Sequence, residues 1–200
     1  MLFLPTYFAP ISQYMAIVEN DTIVFEVEDN FQKQTYRNRC YIYASLGKLQ
    51  MNVPIIRTHD LINKQKTKDT KVDNDYAWQK RQLKTLQAAY RSSPYYEFYE
   101  DDIMHIFEKK HTFLQDLNIK THEFILDALQ ESISFTKTTE YLKEPSINDS
   151  RILATPKFKP SFEFKAYTQV FDDKFGFIPN LSILDLIFME GPNAISYLKN

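Results

Sequence analysis

The chain predicts an α/β fold, a small mixed sheet flanked by helices in a single domain spanning residues 1–200. Three observations carry this. The first 27 residues read strand, helix, strand, the order of a parallel pair joined by a crossover. Residues 39–55 alternate apolar and polar side chains about a glycine, the pattern of a β-hairpin. From about residue 75 to 130 apolar side chains recur at helical spacing. An α+β arrangement with a separate helical half is the alternative that this order also permits.

Leu2–Phe3–Leu4 is a short apolar run stopped by Pro5, a buried strand by pattern. Ile11–Glu19 sets Ile11, Tyr14, Met15 and Val18 on one helical face. Thr22–Val27 is β-branched and aromatic and reads as the second strand. In the hairpin, Cys40, Ile42 and Ala44 alternate with Arg39, Tyr41 and Tyr43. Beyond Gly47, the residues Leu49, Met51, Val53 and Ile55 alternate with Gln50, Asn52 and Pro54. One face is thus apolar. The other is rich in Arg, Tyr, Gln and Asn, and is either a solvated face or a ligand surface.

Residues 57–74, with Lys64, Lys66, Lys68 and Lys71, read as a mobile loop or an irregular edge. A helix is expected from about Asp75 to Arg91, with Tyr76, Leu83, Leu86 and Tyr90 as its stripe and Trp78 and Ala89 beside it. Ser92–Ser93–Pro94 breaks it. A second helix, from about Tyr95 to Leu117, buries Ile103, Ile106, Phe107, Phe113, Leu114 and Leu117. A third, from about Lys120 to Gln130, buries Phe124, Ile125, Ala128 and Leu129, and Ile133–Thr136 returns to strand chemistry. Pro145, Pro156 and Pro160 make residues 143–161 linker-like, and Phe162–Phe171 reads as extended. Ser182 then caps a last helix, with Asp185 in the capping-box position, a Leu181–Leu186 staple and a Gly191–Pro192 stop. This helix is apolar nearly all round, so Leu184, Ile187 and Phe188 are expected in the core.

Counting excludes several function classes. Hydrophobic residues make up 44% and charged residues 25% of the 200, an ordinary globular composition. A lone cysteine, Cys40, rules out an internal disulfide and a Cys-built zinc cage. Arg39 beside it would favour a thiolate, but Cys40 is in phase with Ile42 and Ala44, which points to the core. Gly47, Gly176 and Gly191 lie too far apart for a Gly-rich phosphate loop, and no cofactor is expected. His59, His105, His111 and His122 form neither an i, i+4 pair nor HExxH, so no metal is expected. No serine sits in G-x-S-x-G. A net charge of −2 speaks against nucleic acid as a partner. No run approaches the ~20 apolar residues of a membrane span, and no targeting segment is visible. A cytoplasmic protein is expected.

The densest chemistry is Lys33–Gln34–Thr35–Tyr36–Arg37–Asn38–Arg39, where a loop enters the hairpin. Three cations, two amides and a phenol within seven residues suit a phosphate or carboxylate, since guanidinium offers a planar two-pronged donor. Arg37 and Arg39, two residues apart, would share a face if both lay in the strand. An exposed basic turn is the plain alternative.

The segment Asn30–Ile42, NFQKQTYRNRCYI, resembles the WbqC-like family of bacterial proteins. The likeness continues through Asn52–Val53–Pro54, Trp78–Gln79, Ala88–Ala89–Tyr90 and Ser92–Ser93–Pro94–Tyr95–Tyr96–Glu97–Phe98–Tyr99. Its most specific part is the terminal block from Tyr167–Thr168–Gln169–Val170–Phe171 to Phe177–Ile178–Pro179–Asn180–Leu181–Ser182–Ile183–Leu184–Asp185. The chain reads as a shortened variant of that family. Related chains often carry His and Trp where this one has Gln82 and Leu83, and a longer stretch where it has the Pro-containing residues 143–161.

The resemblance implies surface-polysaccharide (O-antigen) biosynthesis, and a transferase moving a small aminoacyl group, such as glycine, or an acyl group onto a sugar. In that scheme Lys33, Arg37 and Arg39 hold a phosphate or carboxylate, Tyr36 and Asn38 orient it, and Tyr41 or Trp78 covers a sugar ring. Asp185 is the candidate general base, with a first-turn helix acid as its alternative role. The implied partners are a small anionic or sugar ligand and an acyl or aminoacyl donor. A non-catalytic binding or assembly protein of the same pathway is the rival reading.

Overall fold

The computed structural model describes residues 1–57, 65–161 and 163–199. The fold class is α/β, with parallel and antiparallel strands kept in two separate sheets. The strands β1 (Leu2–Phe3), β2 (Thr22–Phe25) and β5 (Ser134–Lys137) form a parallel sheet in the order β1-β2-β5. Helix α1 (Ile11–Ile17) makes the crossover from β1 to β2, as strand–helix–strand patterning requires. The strands β3 (Arg39–Ala44) and β4 (Gly47–Asn52) form the antiparallel hairpin, with Cys40 opposite Met51 and Ile42 opposite Leu49. Helices α2 (Trp78–Tyr90), α3 (Tyr96–Glu108) and α4 (Leu114–Leu129) follow, then short α5 (Asp172–Phe175), α6 (Ile183–Glu190) and α7 (Ala194–Leu198). One contiguous core runs through all of this, from Phe3 and Phe25 in the parallel sheet to Leu184 and Phe188 in α6.

Several expectations are corrected by tertiary contacts. The helix expected over 95–117 is two helices, and α4 begins at Leu114 rather than near Lys120. No proline or glycine marks the break. Residues 70–72 create it: Val72 N donates to Thr112 O (3.0 Å) and Leu114 N donates to Thr70 O (2.9 Å), which holds Thr112–Phe113 extended. The polar stretch 57–74 contributes this edge through its described residues. Thr67, Thr70 and Val72 are buried, while Lys64 and His59 lie outside the described residues. Residues 143–161 are also more than a linker. Leu2 N donates to Asn148 O and Ser150 N donates to Leu2 O, both at 2.8 Å, so this segment runs parallel beside β1. Residues 163–168 form no strand.

On the hairpin, Tyr43 leaves the polar face it shares by alternation and is fully buried. Its hydroxyl donates to Gly176 O (2.7 Å) and Phe171 O (3.1 Å), so the C-terminal segment covers that end of the sheet. In α2 the buried stripe is Trp78, Gln82, Leu86, Ala89 and Tyr90, one step round from the expected one, and Tyr76 is exposed. Helix α6 keeps the expected cap and core but not the capping box, since Ser182 N donates to Tyr41 O (2.7 Å) rather than to Asp185. Ser182 Oγ accepts from Leu184 N, Leu181 and Leu186 are buried, and so are Leu184, Ile187 and Phe188. Gly191 ends it at φ +52°, where a Cβ would meet the Tyr95 ring at 2.4 Å, so only glycine fits.

Candidate functional site

All three strands of the parallel sheet point the same way, so their carboxyl ends open on one side. In open α/β sheets that side is where ligands bind. A cavity of about 450 Å³ lies there. Leu4 follows β1, Asp29 and Asn30 follow β2, Tyr141 follows β5, and all four line it. Arg37 enters from the loop before β3, and Asp149 and Arg151 from the segment beside β1.

Charge inside the cavity is balanced by pairs. Arg37 is 2% exposed, and its Nε (3.2 Å) and Nη2 both donate to Asp29 Oδ2 while its Nη1 donates to Thr35 Oγ1 (3.1 Å). Asn118 in α4 holds the Arg37 backbone, donating from Nδ2 to Arg37 O (2.8 Å) and Pro5 O (3.1 Å). Arg151 forks onto Asp149 through Nε (2.9 Å) and Nη2 (2.7 Å), and its Nη1 donates to Leu142 O (2.7 Å). Side-chain hydrogen bonding to Arg151 lowers the Asp149 carboxyl below its usual value, and the same bond raises the Arg151 guanidinium. Buried Glu26, just past β2, accepts from Thr138 Oγ1 (2.8 Å) and Leu142 N (2.9 Å) and so anchors the 138–142 wall over the strand ends. Among the residues that line the cavity, one buried side-chain oxygen stays without a partner. Asp29 Oδ1 is buried and receives no hydrogen bond, on a residue only 5% exposed. Such an oxygen is costly unless something donates to it.

The residues expected to share one anion are separated. Arg37 faces the cavity, bound to Asp29, and is not an exposed loop cation. Arg39 Nη1 (3.2 Å) and Tyr41 OH (2.9 Å) instead both donate to Gln50 Oε1 on the outer face of the hairpin. The Tyr36 ring packs edge-on against Tyr41, with centroids 6.0 Å apart. Asn38 Nδ2 donates to Val53 O (3.0 Å) and closes the base of the hairpin. Lys33 stands exposed in a turn. Trp78 is buried at the start of α2, beside β4.

Asp185 is fully buried and lines neither the cavity nor the depression beside Trp78. It accepts from Tyr90 OH (2.6 Å), Tyr167 OH (2.6 Å) and Gln169 Nε2 (2.9 Å). Burial raises its carboxyl above the ordinary range against those three donors, which lower it. This arrangement ties the 167–169 segment to α6, a third role beside the general base and the first-turn acid expected from sequence. His122 is likewise a core group. Burial pushes it down to about 4, and its Nδ1 sits 3.0 Å from Tyr14 OH. Cys40 is buried, and burial pushes its thiol up. Among the described residues no group of three His, Cys, Asp or Glu side chains is placed to hold a metal. Among them, too, no helix is long and apolar enough to cross a membrane.

Asp29, Asn30, Tyr141 and Arg151 were not singled out by the sequence. Asp29 had a signal, an acidic cluster immediately after a strand that a crossover makes parallel. Arg151 had none, because its place depends on residues 148–150 pairing beside β1. A family model described as the WbqC-like protein family matches residues 5–159, which include every charged residue that lines the cavity. The terminal block around Asp185 lies outside the matched residues. No curated protein and no solved structure matches the chain.

Proposed function

The chain belongs to the WbqC-like protein family, and from that premise we propose that it is a transferase-like protein of bacterial surface-polysaccharide (O-antigen) biosynthesis, moving a small aminoacyl group onto a sugar. The observation that carries this reading is the polar cavity at the strand ends, with the carboxylates of Asp29 and Asp149 among its lining residues. An aminoacyl group brings an ammonium, a cation that suits a cavity with two carboxylates among its lining residues. A simple acyl group brings none, so the aminoacyl form is preferred. The paired charges, Arg37 with Asp29 and Arg151 with Asp149, suit a dipolar ligand better than a phosphate, because both guanidinium groups already donate to carboxylates. Tyr141, exposed and over the Arg151 guanidinium at 5.4 Å, supplies an aromatic wall.

A second reading is a non-catalytic binding protein of the same pathway. It is favoured by the shifts at Asp149 and Arg151, which are those of a settled ion pair, and by the placing of the raised carboxyl, Asp185, outside the cavity. One experiment separates the two. Ligands that bind the native state raise its melting temperature. Glycinamide, an ammonium beside a neutral carbonyl, is titrated against acetamide, which lacks the ammonium. An amino sugar is then incubated with the protein and a glycyl thioester, and its mass is read. A rise in Tm with glycinamide alone, and a sugar heavier by one glycyl unit, are expected. A rise without transfer supports the binding protein, and neither change refutes both.

A further inference from the structure

Strand β4 pairs with β3 on one edge, and no other described strand pairs with it. Helix α2 lies along the seam beside it. A depression of about 470 Å³ is lined there by Gln50, Asn52, Tyr76, Trp78, Arg81 and Gln82. A second, of about 360 Å³, continues it past Lys84, and the two share Leu49, Arg81 and Thr85. The result is one elongated groove rather than a closed cavity.

Its chemistry differs from that of the cavity at the strand ends. Neither depression has an Asp or Glu in its lining, whereas Arg81 and Lys84 both line it. Arg39, bonded to Gln50, and Lys48, 4.5 Å above the Tyr41 ring, stand on the outer face of the hairpin and line neither depression. The neutral polar groups are amides and hydroxyls. Gln50 Nε2 donates to Asn52 Oδ1 (3.0 Å), and Gln82 is held between Tyr7 OH (2.6 Å) and Asn52 O (2.7 Å). Aromatic surface comes from Tyr76, which is 66% exposed, and from Trp78. Trp78 is 5% exposed, and its indole Nε1–H has no hydrogen-bond partner.

We propose that this groove binds an acidic saccharide, at a site separate from the cavity at the strand ends, with which it shares no lining residue. The exposed Tyr76 ring covers the apolar face of a pyranose ring. Amides donate and accept at once, which matches sugar hydroxyls. Arg81 and Lys84, with no acid in the lining, select a ring that carries a carboxylate. Single-stranded nucleic acid also uses aromatics and cations, but it calls for a series of exposed ring faces, and here Tyr76 is the exposed ring in the lining. This inference rests on the reading above only for its ligand class, a sugar, and its binding is measured apart from transfer.

Trp78 is the sole tryptophan of the chain, so its fluorescence reports this groove. The intact protein is titrated with trigalacturonic acid, with the neutral cellotriose and with an oligothymidylate. Trigalacturonic acid is expected to change the Trp78 emission saturably and cellotriose to bind more weakly. The Arg81→Ala/Lys84→Ala variant, altered at two exposed positions, is expected to lose about tenfold in affinity for the acidic trisaccharide at unchanged Tm. Arg81→Lys in the parent background should cost less. The inference is overturned by an absence of any emission change, by equal affinity for the acidic and neutral sugars, by an unaffected double variant, or by tighter binding of the oligothymidylate. The glycinamide titration reads the cavity independently, so either site can fail while the other stands.

Discussion

Replacing Arg37 by alanine is the sharpest test of how this structure is held together. An arginine in an exposed basic turn is removed at almost no cost to stability. Here Arg37 is 2% exposed and donates three hydrogen bonds, two of them to the Asp29 carboxylate, itself 5% exposed. Removing the guanidinium strands a buried charge whose other oxygen already lacks a donor. Breaking one side of a buried pair costs about 3–5 kcal/mol. That is a large fraction of the roughly 5–15 kcal/mol that separates folded from unfolded chains. With a urea slope of about 2 kcal/mol/M, the unfolding midpoint should fall by about 1.5–2.5 M. Arg37→Lys keeps the charge but not the fork and should fall between parent and alanine. The paired replacement Arg37→Met/Asp29→Leu removes both charges together, and its midpoint should recover most of the loss. Equilibrium urea unfolding followed by circular dichroism decides the matter. An Arg37→Ala midpoint within about 0.3 M of the parent, or a double variant no better than the single one, would refute the reasoning.

Two further outcomes follow from α6. Leu184 is fully buried, so Leu184→Ala should cost about 2–5 kcal/mol, and a urea midpoint unchanged from the parent would place the helix on the surface. Asp185 gives a pH dependence of fixed sign. Burial raises its native pKa above the roughly 3.9 of an unfolded aspartate, so between those two values the native state holds a proton that the unfolded chain has released. Its contribution is therefore greatest below about pH 4 and declines as pH rises through that window. Asp185→Asn does not titrate, so the stability of the parent relative to this variant should drop from pH 4 to pH 7. A gap moving the other way across a series of urea midpoints would show that the Tyr90, Tyr167 and Gln169 donors outweigh burial.

The sequence by itself determined the elements whose signals are local. The strand–helix–strand start, the alternating hairpin about Gly47 and the capped, stapled α6 all stand where the pattern put them, because side-chain period and capping chemistry act within a few residues. The family was legible for a similar reason, in contiguous residues such as Asn30–Ile42. What only the tertiary structure decided depends on partners far away in the chain. The break between α3 and α4 is made by residues 70–72, some forty positions upstream, and not by any local breaker. Arg37 and Arg39 share a motif but not a site, since the first finds Asp29 across the sheet ends and the second finds Gln50 across the hairpin. The cavity exists because β1, β2 and β5 run parallel, which brings Leu4, Asp29 and Tyr141 to one side, and because residues 148–150 pair beside β1 and carry Arg151 to it. Chain pattern carries no information on which distant backbone will satisfy a strand edge, and for this protein that choice built the site.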